Sequence, residues 1–439
     1  MLKTLVGAFK NKDIRKKILY TLMILVIVRV GSLLPIPGVD TEYFSSLLSG
    51  INTGDLSYLS AFTGGSFERM SLFALSITPY ITSSIIMQFL AIAIPKLEEM
   101  QKEGEDGRKK IAAITRYVTI GLALIESIAM AVGFGRSGLI KGYQGFSTLH
   151  YIVSIIVVVA ALTAGSAMLM WLGERITENG VGNGISIVLL INIISGMPSD
   201  FATLYSTFVA PRTIAKGVLA AAIIIAILVV MVVLVCFLQD GERRIPVQYS
   251  QKVSGRKTFG GQSTNIPLKV NTAGVMPVIF ASSLMQFPVI IAQLFGKSYE
   301  WTRYLSSSYW CRVSAPKYSI GLILYVVLLI IFAYLYTSIT FNPIEVADNL
   351  KKAGGVIPGI TPGKSTSDYL NNILNYIVFV GAVGLLIIAL IPIMCTGFFN
   401  ASVSFGGTSV IIIVGVVLET LKQIESQMVN RYYKGFLSE

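Results

Sequence analysis

Ten stretches of this chain are apolar for long enough to cross a lipid bilayer, and that repetition restricts the possible folds more than any single residue does. They lie near 18 to 35, 70 to 94, 112 to 133, 149 to 172, 183 to 198, 214 to 238, 272 to 295, 318 to 340, 373 to 393 and 407 to 427. A hydrocarbon layer of about 30 Å is crossed by roughly 20 helical residues, and each backbone polar group inside it must be bonded within the segment. The expected fold class is therefore an all-α integral membrane protein with ten transmembrane helices. Composition agrees, because 54% of residues are hydrophobic and 13% charged, against about 25% charged in soluble domains. The basic start, Lys3 to Lys17, runs into the first span without a small-residue cleavage site, so no cleaved leader is expected.

The net charge of +12 is informative through its placement. With a cytoplasmic N-terminus and alternating sides, most Lys and Arg fall in the N-terminal segment and in the connections after spans two, six and eight. That is the bias expected of cytoplasmic loops, and it puts both termini in the cytoplasm. A Gly- and Pro-bearing outer connection near 196 to 212 divides the chain into residues 1–200 and 201–439, with five spans each. An odd number of spans inserts the second half upside down relative to the first, a plan that recurs in proteins moving something across the bilayer.

Catalytic signals are sparse. His150 is the one histidine and falls near an outer boundary, and the three cysteines are scattered, so no metal or nucleophilic constellation and no cofactor is expected. Cys311 and Cys395 both fall on the expected outer side, where a disulfide or two free thiols are both compatible with the spacing. The run PGITPGKS at 358–365 resembles a phosphate loop but has Pro358 at the first required glycine and no strand before it. Ionisable residues within spans are few: Glu126 sits mid-span, and Arg29 lies toward the outer half of span one, where snorkelling to the interface is the simplest expectation.

Span two is unusual in being two-faced. Ile77, Ile81 and Ile85 form one stripe, Thr78, Thr82, Ser83, Ser84 and Gln88 form the other, and a glycine-rich entrance precedes them. A helix surrounded only by lipid needs no such mixture. The connections 240–270 and 341–371 are also distinctive: each is about thirty residues, rich in Gly, Pro and basic residues, where bundled helices are joined by about 2–8. They read as ordered, protruding hairpins. Their charge suits acidic partner surfaces or RNA phosphates, and equally a positive-inside bias with no partner; DNA is not expected.

Several runs resemble hallmark segments of the bacterial SecY family, the central subunit of protein-translocating channels: KEGEDGRKKIAAITRY, TENGVGNGISI, GERRIPVQY, QSTNIPLKVNTAGVMPVIFASS, FNPIEVADNLKKAGGVIPGI and FGGTS. They occur in order across nearly the whole chain. The resemblance implies an hourglass pore in a bacterial cytoplasmic membrane that passes unfolded preproteins and releases membrane segments sideways. It puts Ile77, Ile81, Ile185, Leu189, Met276, Ile279 and Ile412 on a ring at the waist. Aliphatic side chains in a constriction exclude ions by dewetting and offer a moving chain no specific hydrogen bond.

The same resemblance implies a plug at about 55–69 (Asp55, Leu56, Tyr58, Leu59, Phe62, Gly64, Gly65, Phe67 and Arg69). It also implies a lateral gate in which Thr82, Ser83, Ile85 and Gln88 face Ser282, Ser283, Gln286 and Phe287, with Glu126 beside them. Docking of a SecA-like motor ATPase or the ribosome falls to Arg243, Arg244, Lys252, Arg256, Lys257, Lys351, Lys352 and Lys364; Thr361 stands where the family commonly has an arginine. SecE-like and SecG-like small membrane subunits, preprotein signal sequences and membrane lipid complete the implied partners. A secondary transporter of small solutes built from inverted repeats is the alternative, and it would need several ionisable groups near the midplane, where this chain has essentially Glu126 alone.

Overall fold

Caps and prolines set where the long helices begin. Helix α1 (Lys12–Leu33) opens on Asn11, whose side chain accepts the Asp13 amide at 3.2 Å. After α2 (Thr41–Gly50), α3 (Thr78–Ala93) starts with Pro79 in its first turn and stops before Pro95, where α4 (Pro95–Lys102) departs at 104°. Then come α5 (Glu105–Phe134) and α6 (Thr148–Asn179), and α7 (Gly184–Leu204), whose cap Asn183 accepts the Ile185 amide at 3.2 Å. Helices α8 (Ile214–Asp240), α9 (Met276–Leu294), α10 (Ile320–Thr340), α11 (Pro343–Lys352), α12 (Lys364–Phe399) and α13 (Gly407–Gly435) follow. The computed structural model describes residues 7, 9–50, 63–134, 148–211, 214–249, 252–254, 257–259, 263–294, 300–312, 316–399 and 407–435.

Each of the ten apolar stretches falls on one of these helices. Among the described residues six helices are long and apolar enough to cross a membrane, and the bent pair α3 and α4 brings the number to seven; α9 is a shorter apolar helix. Two boundaries differ from expectation. The second stretch is helical only from Thr78, because residues 64–77 form successive turns with left-handed backbone at Met70 and Ser76. The connection near 196 to 212 continues α7 through Pro198 to Leu204 and then a π turn, Tyr205–Val209. Proline is tolerated in membrane helices where neighbouring groups re-satisfy the backbone.

A large apolar core forms where α1, α3, α7, α9, α10, α12 and α13 meet, and a second lies between the 63–77 segment, α2, α5 and α6. On the cytoplasmic side expected from the charge bias, β1 (Glu242–Tyr249) pairs antiparallel with β4 (Ser263–Lys269), and short β2 (Lys252–Ser254) with β3 (Lys257–Phe259). Strand β5 (Gly355–Val356) adds to the other edge of β1, so the two long connections share one sheet, order β4-β1-β5. Alternation along β1 buries Ile245 and Val247 against Leu350, Ile357 and Leu370.

Candidate functional site

The seven aliphatic residues expected at the waist come from α3 and its cap (Ile77, Ile81), α7 (Ile185, Leu189), α9 (Met276, Ile279) and α13 (Ile412), and all lie in the same contiguous apolar core. Ile77, Ile81, Leu189, Ile279 and Ile412 are buried, while Ile185 and Met276 are half-buried against them. Ile77 caps α3 and its carbonyl accepts the Ile81 amide at 3.0 Å, so the stripe starts one residue ahead of the helix.

Helix α9 packs along α10 and touches α5 and α3. At that seam Gln88 and Phe89 of α3, Phe280 of α9, and Phe332 and Tyr336 of α10 line a cleft with barely room for a water molecule. Phe332 anchors it, with ring centroids 5.9 Å from both Phe89 and Phe280. Ser282 and Gln286 are buried, Ser283 and Ile85 half-buried, and Phe287 exposed. Ser83 departs from the expected arrangement: it is fully buried, and its hydroxyl meets Thr119 of α5 at 2.5 Å. One residue of helix rotation separates it from Thr82, which bonds its own helix at the Thr78 carbonyl. Glu126 lies half-buried on α5, one residue before Ser127, which meets Thr163 of α6 at 2.8 Å.

Of the expected plug, Asp55, Leu56, Tyr58, Leu59 and Phe62 lie outside the described residues. The 63–77 segment is tightly seated. Phe67 is buried in an edge-to-face trio with Phe44 and Phe134. The Leu72 amide donates to the Leu34 carbonyl at 2.9 Å and the Ile36 amide to the Met70 carbonyl at 3.1 Å, so non-helical backbone is bonded inside protein, as the membrane demands. Gly165 of α6 lets the Leu72 carbonyl approach to a distance that any Cβ would forbid. Gly64 and Gly65 turn with φ of +62° and +79°, while Arg69 is exposed.

Asn192 and Ser166, which the sequence does not single out, bind this segment to α7 and α6. Asn192, 2% exposed, donates to the Ser76 hydroxyl at 3.1 Å, and Ser166 donates to the Ser76 carbonyl at 3.4 Å. Arg29, half-buried, donates to Ser195 at 2.9 Å, beside the Gly64 carbonyl. These contacts span up to 166 residues, so no local sequence pattern announces them.

On the opposite face Arg243 and Arg244 project from β1, with Arg244 paired to Glu242 at 2.6 Å. Lys351 and Lys352 end α11 and Lys364 starts α12, all exposed. Lys252 and Lys257 sit on β2 and β3, and Arg256 lies outside the described residues. Cys311 and Cys395 are both free thiols in this structure.

The chain's similarities to known proteins follow the same outline. The family model described as SecY matches residues 71–421. The protein translocase subunit SecY of Streptomyces galbus is 44% identical, and that of Bacillus subtilis 42%, each over the full length of both chains. Among solved structures, a protein-conducting channel aligns with a TM-score of 0.62 at 18% identity, covering 94% of this chain and 93% of its own. A SecY structure concerned with the plug domain and the closed state aligns at 0.60, with 18% identity and coverage of 94% and 92%. A channel in a canine ribosome complex from the endoplasmic reticulum aligns at 0.59, with 17% identity and coverage of 94% and 93%. With identity of that level sustained from end to end and the fold shared with solved channels, the chain belongs to the SecY family.

Proposed function

We propose that this translocase channel subunit conducts unfolded preproteins through a waist made by Ile77, Ile81, Ile185, Leu189, Met276, Ile279 and Ile412. The observation that carries this reading is the convergence of those side chains, from four helices on either side of residue 200, in one apolar core. A dewetted aliphatic constriction seals without a charged gate and grips no particular sequence, so it needs no catalysis of its own. The driving energy then comes from outside, from a SecA-like motor or a ribosome at the exposed cations of β1, α11 and α12; likeness to a ribosome-bound channel supports the latter. SecE-like and SecG-like subunits are the membrane partners in this reading, the bacterial cytoplasmic membrane its location, and the cytoplasm the side of both termini.

The seam between α3 and α9 is the sideways exit. Its aromatic cleft is too small for a helix, so an apolar signal segment enters only by parting α3 from α9. Ser83 bonded to Thr119 makes α3 travel with α5 as that seam opens. Residues 55–69 are the stopper, and the seated residues 63–77 join it to α3. The experiment is reconstitution with the small subunits and the motor, reading ATP-dependent protease protection of a signal-bearing preprotein. Accumulation of a small solute by this chain alone, or no protection with a verified motor, overturns the proposal.

A further inference from the structure

The end of the molecule remote from the β-strands carries a charge pattern that positive-inside placement does not explain. Residues 300–319 hold Arg303, Arg312 and Lys317 against Glu300 as the one acid. These three cations are gathered by aromatic rings instead of carboxylates. The Arg312 guanidinium lies 4.9 Å and that of Arg303 5.8 Å from the Tyr309 ring centre, and the Lys317 ammonium lies 5.0 Å from that of Tyr318. Tyr309 and Tyr318 pack edge to face at 5.9 Å, so the rings that hold the three cations adjoin one another. Among the described residues the buried Nε of Arg312 has no acceptor.

The scaffold under these side chains is rigid. The Trp310 indole donates to the Tyr304 carbonyl at 2.8 Å, and Gly321 admits that carbonyl against α10. Three positive charges are thus held together before any anion arrives, and cations placed over aromatic faces remain available to a further anionic partner. Directly beneath, α10 begins, and its first outward residues are apolar and exposed: Ile320 63%, Ile323 65% and Val327 46%. Trp301, 46% exposed, belongs to the same 300–319 stretch, and amphipathic rings of this kind favour the headgroup zone.

We propose that this cluster is a binding site for an anionic phospholipid, with the headgroup phosphate among Arg303, Arg312 and Lys317 and the acyl chains along Ile320, Ile323 and Val327. Charge complementarity and the apolar strip below it together specify a lipid, since a soluble phosphate would have no use for the strip. The site requires only that α10 crosses the membrane, so it stands apart from the assignment of waist and gate.

The test uses the full-length chain with Trp171→Phe, which leaves Trp301 and Trp310 as reporters, in phosphatidylcholine vesicles containing brominated phosphatidylglycerol or brominated phosphatidylcholine. Near ~0.1 M salt the brominated anionic lipid should associate about fivefold better for each cation engaged, judged by tryptophan quenching, and ~1 M salt should erase much of that preference. Arg303→Gln with Arg312→Gln and Lys317→Gln should bring the two lipids to parity. Equal quenching by both lipids at low salt overturns the proposal, as does a preference that survives the triple substitution. Equal quenching of the unsubstituted cluster by both lipids, combined with slower passage of acidic polypeptide segments in the triple variant, would overturn it in favour of a translocating chain as the occupant. The salt response of the unsubstituted cluster decides the question even where the triple variant fails to fold.

Discussion

Replacing Asn192 by alanine should loosen the seat of the proposed plug without dismantling the channel. Asn192 is buried and donates to Ser76 at 3.1 Å, and Ser76 sits in left-handed backbone at φ +53° just before α3. A non-glycine residue held there costs about 1–3 kcal/mol, so the 63–77 segment stays in place only while its contacts oppose that strain. A side-chain hydrogen bond between membrane helices contributes about 0.6–2 kcal/mol. Losing 1–2 kcal/mol from the closed state raises the population of the open one by about 5- to 30-fold.

The partner substitution isolates the bond. Ser76→Ala removes the hydroxyl but keeps the strained backbone, so the double variant should leak scarcely more than either single one, with a coupling of about 1 kcal/mol. Ser76→Gly removes the hydroxyl and also relieves the strain, so it should leak less than Ser76→Ala. The assay is conductance of substrate-free channels in planar bilayers, normalised to inserted protein, with thermal unfolding in detergent alongside. Additive effects of the two alanines would refute the pairing. Lowered unfolding temperature with unchanged conductance would refute the latch, because the bond would then persist in the open state.

Three further outcomes follow from the same geometry. Ile81→Gly with Ile279→Gly should make resting membranes leaky to ions, since two buried side chains leave the proposed waist; unchanged conductance with verified insertion counts against the ring. A disulfide between Ser83→Cys and Thr119→Cys should leave preprotein transport intact, because α3 and α5 travel together, whereas a short bismaleimide bridge between Gln88→Cys and Phe280→Cys should arrest it; arrest by both would show that α3 and α5 must separate. Burial raises the Cys311 thiol above its ordinary pKa, so less thiolate is present at neutral pH. Its maleimide labelling should be slower than that of a free thiol near pH 7 and should climb only at higher pH; labelling at the free-thiol rate near pH 7 contradicts the burial.

The features legible in the sequence are those with a short period. The stripe of Ile77, Ile81 and Ile85 is legible because helices repeat every 3.6 residues, whereas Leu189 and Ile279 take their expected place only from the family resemblance. Legibility ends where a residue's partner is remote. Ser83 and Thr82 are adjacent hydroxyls on one helix, and only the rotation of α3 against α5 decides that Ser83 meets Thr119 while Thr82 stays with its own backbone. Arg29 has its acceptor, Ser195, 166 residues away, which no local pattern can announce. Ser76 lay inside an apolar run that read as helix, yet the Leu34 and Ile36 bonds and the Asn192 amide hold the chain in turns there. In a hydrocarbon setting such polar contacts have few competitors, so a handful of common residues can set where a helix starts. The apolar pattern therefore identifies the helices and their buried faces, and Arg29, Ser76, Asn192 and Ser195, unremarkable in composition, determine how the proposed stopper is seated against them.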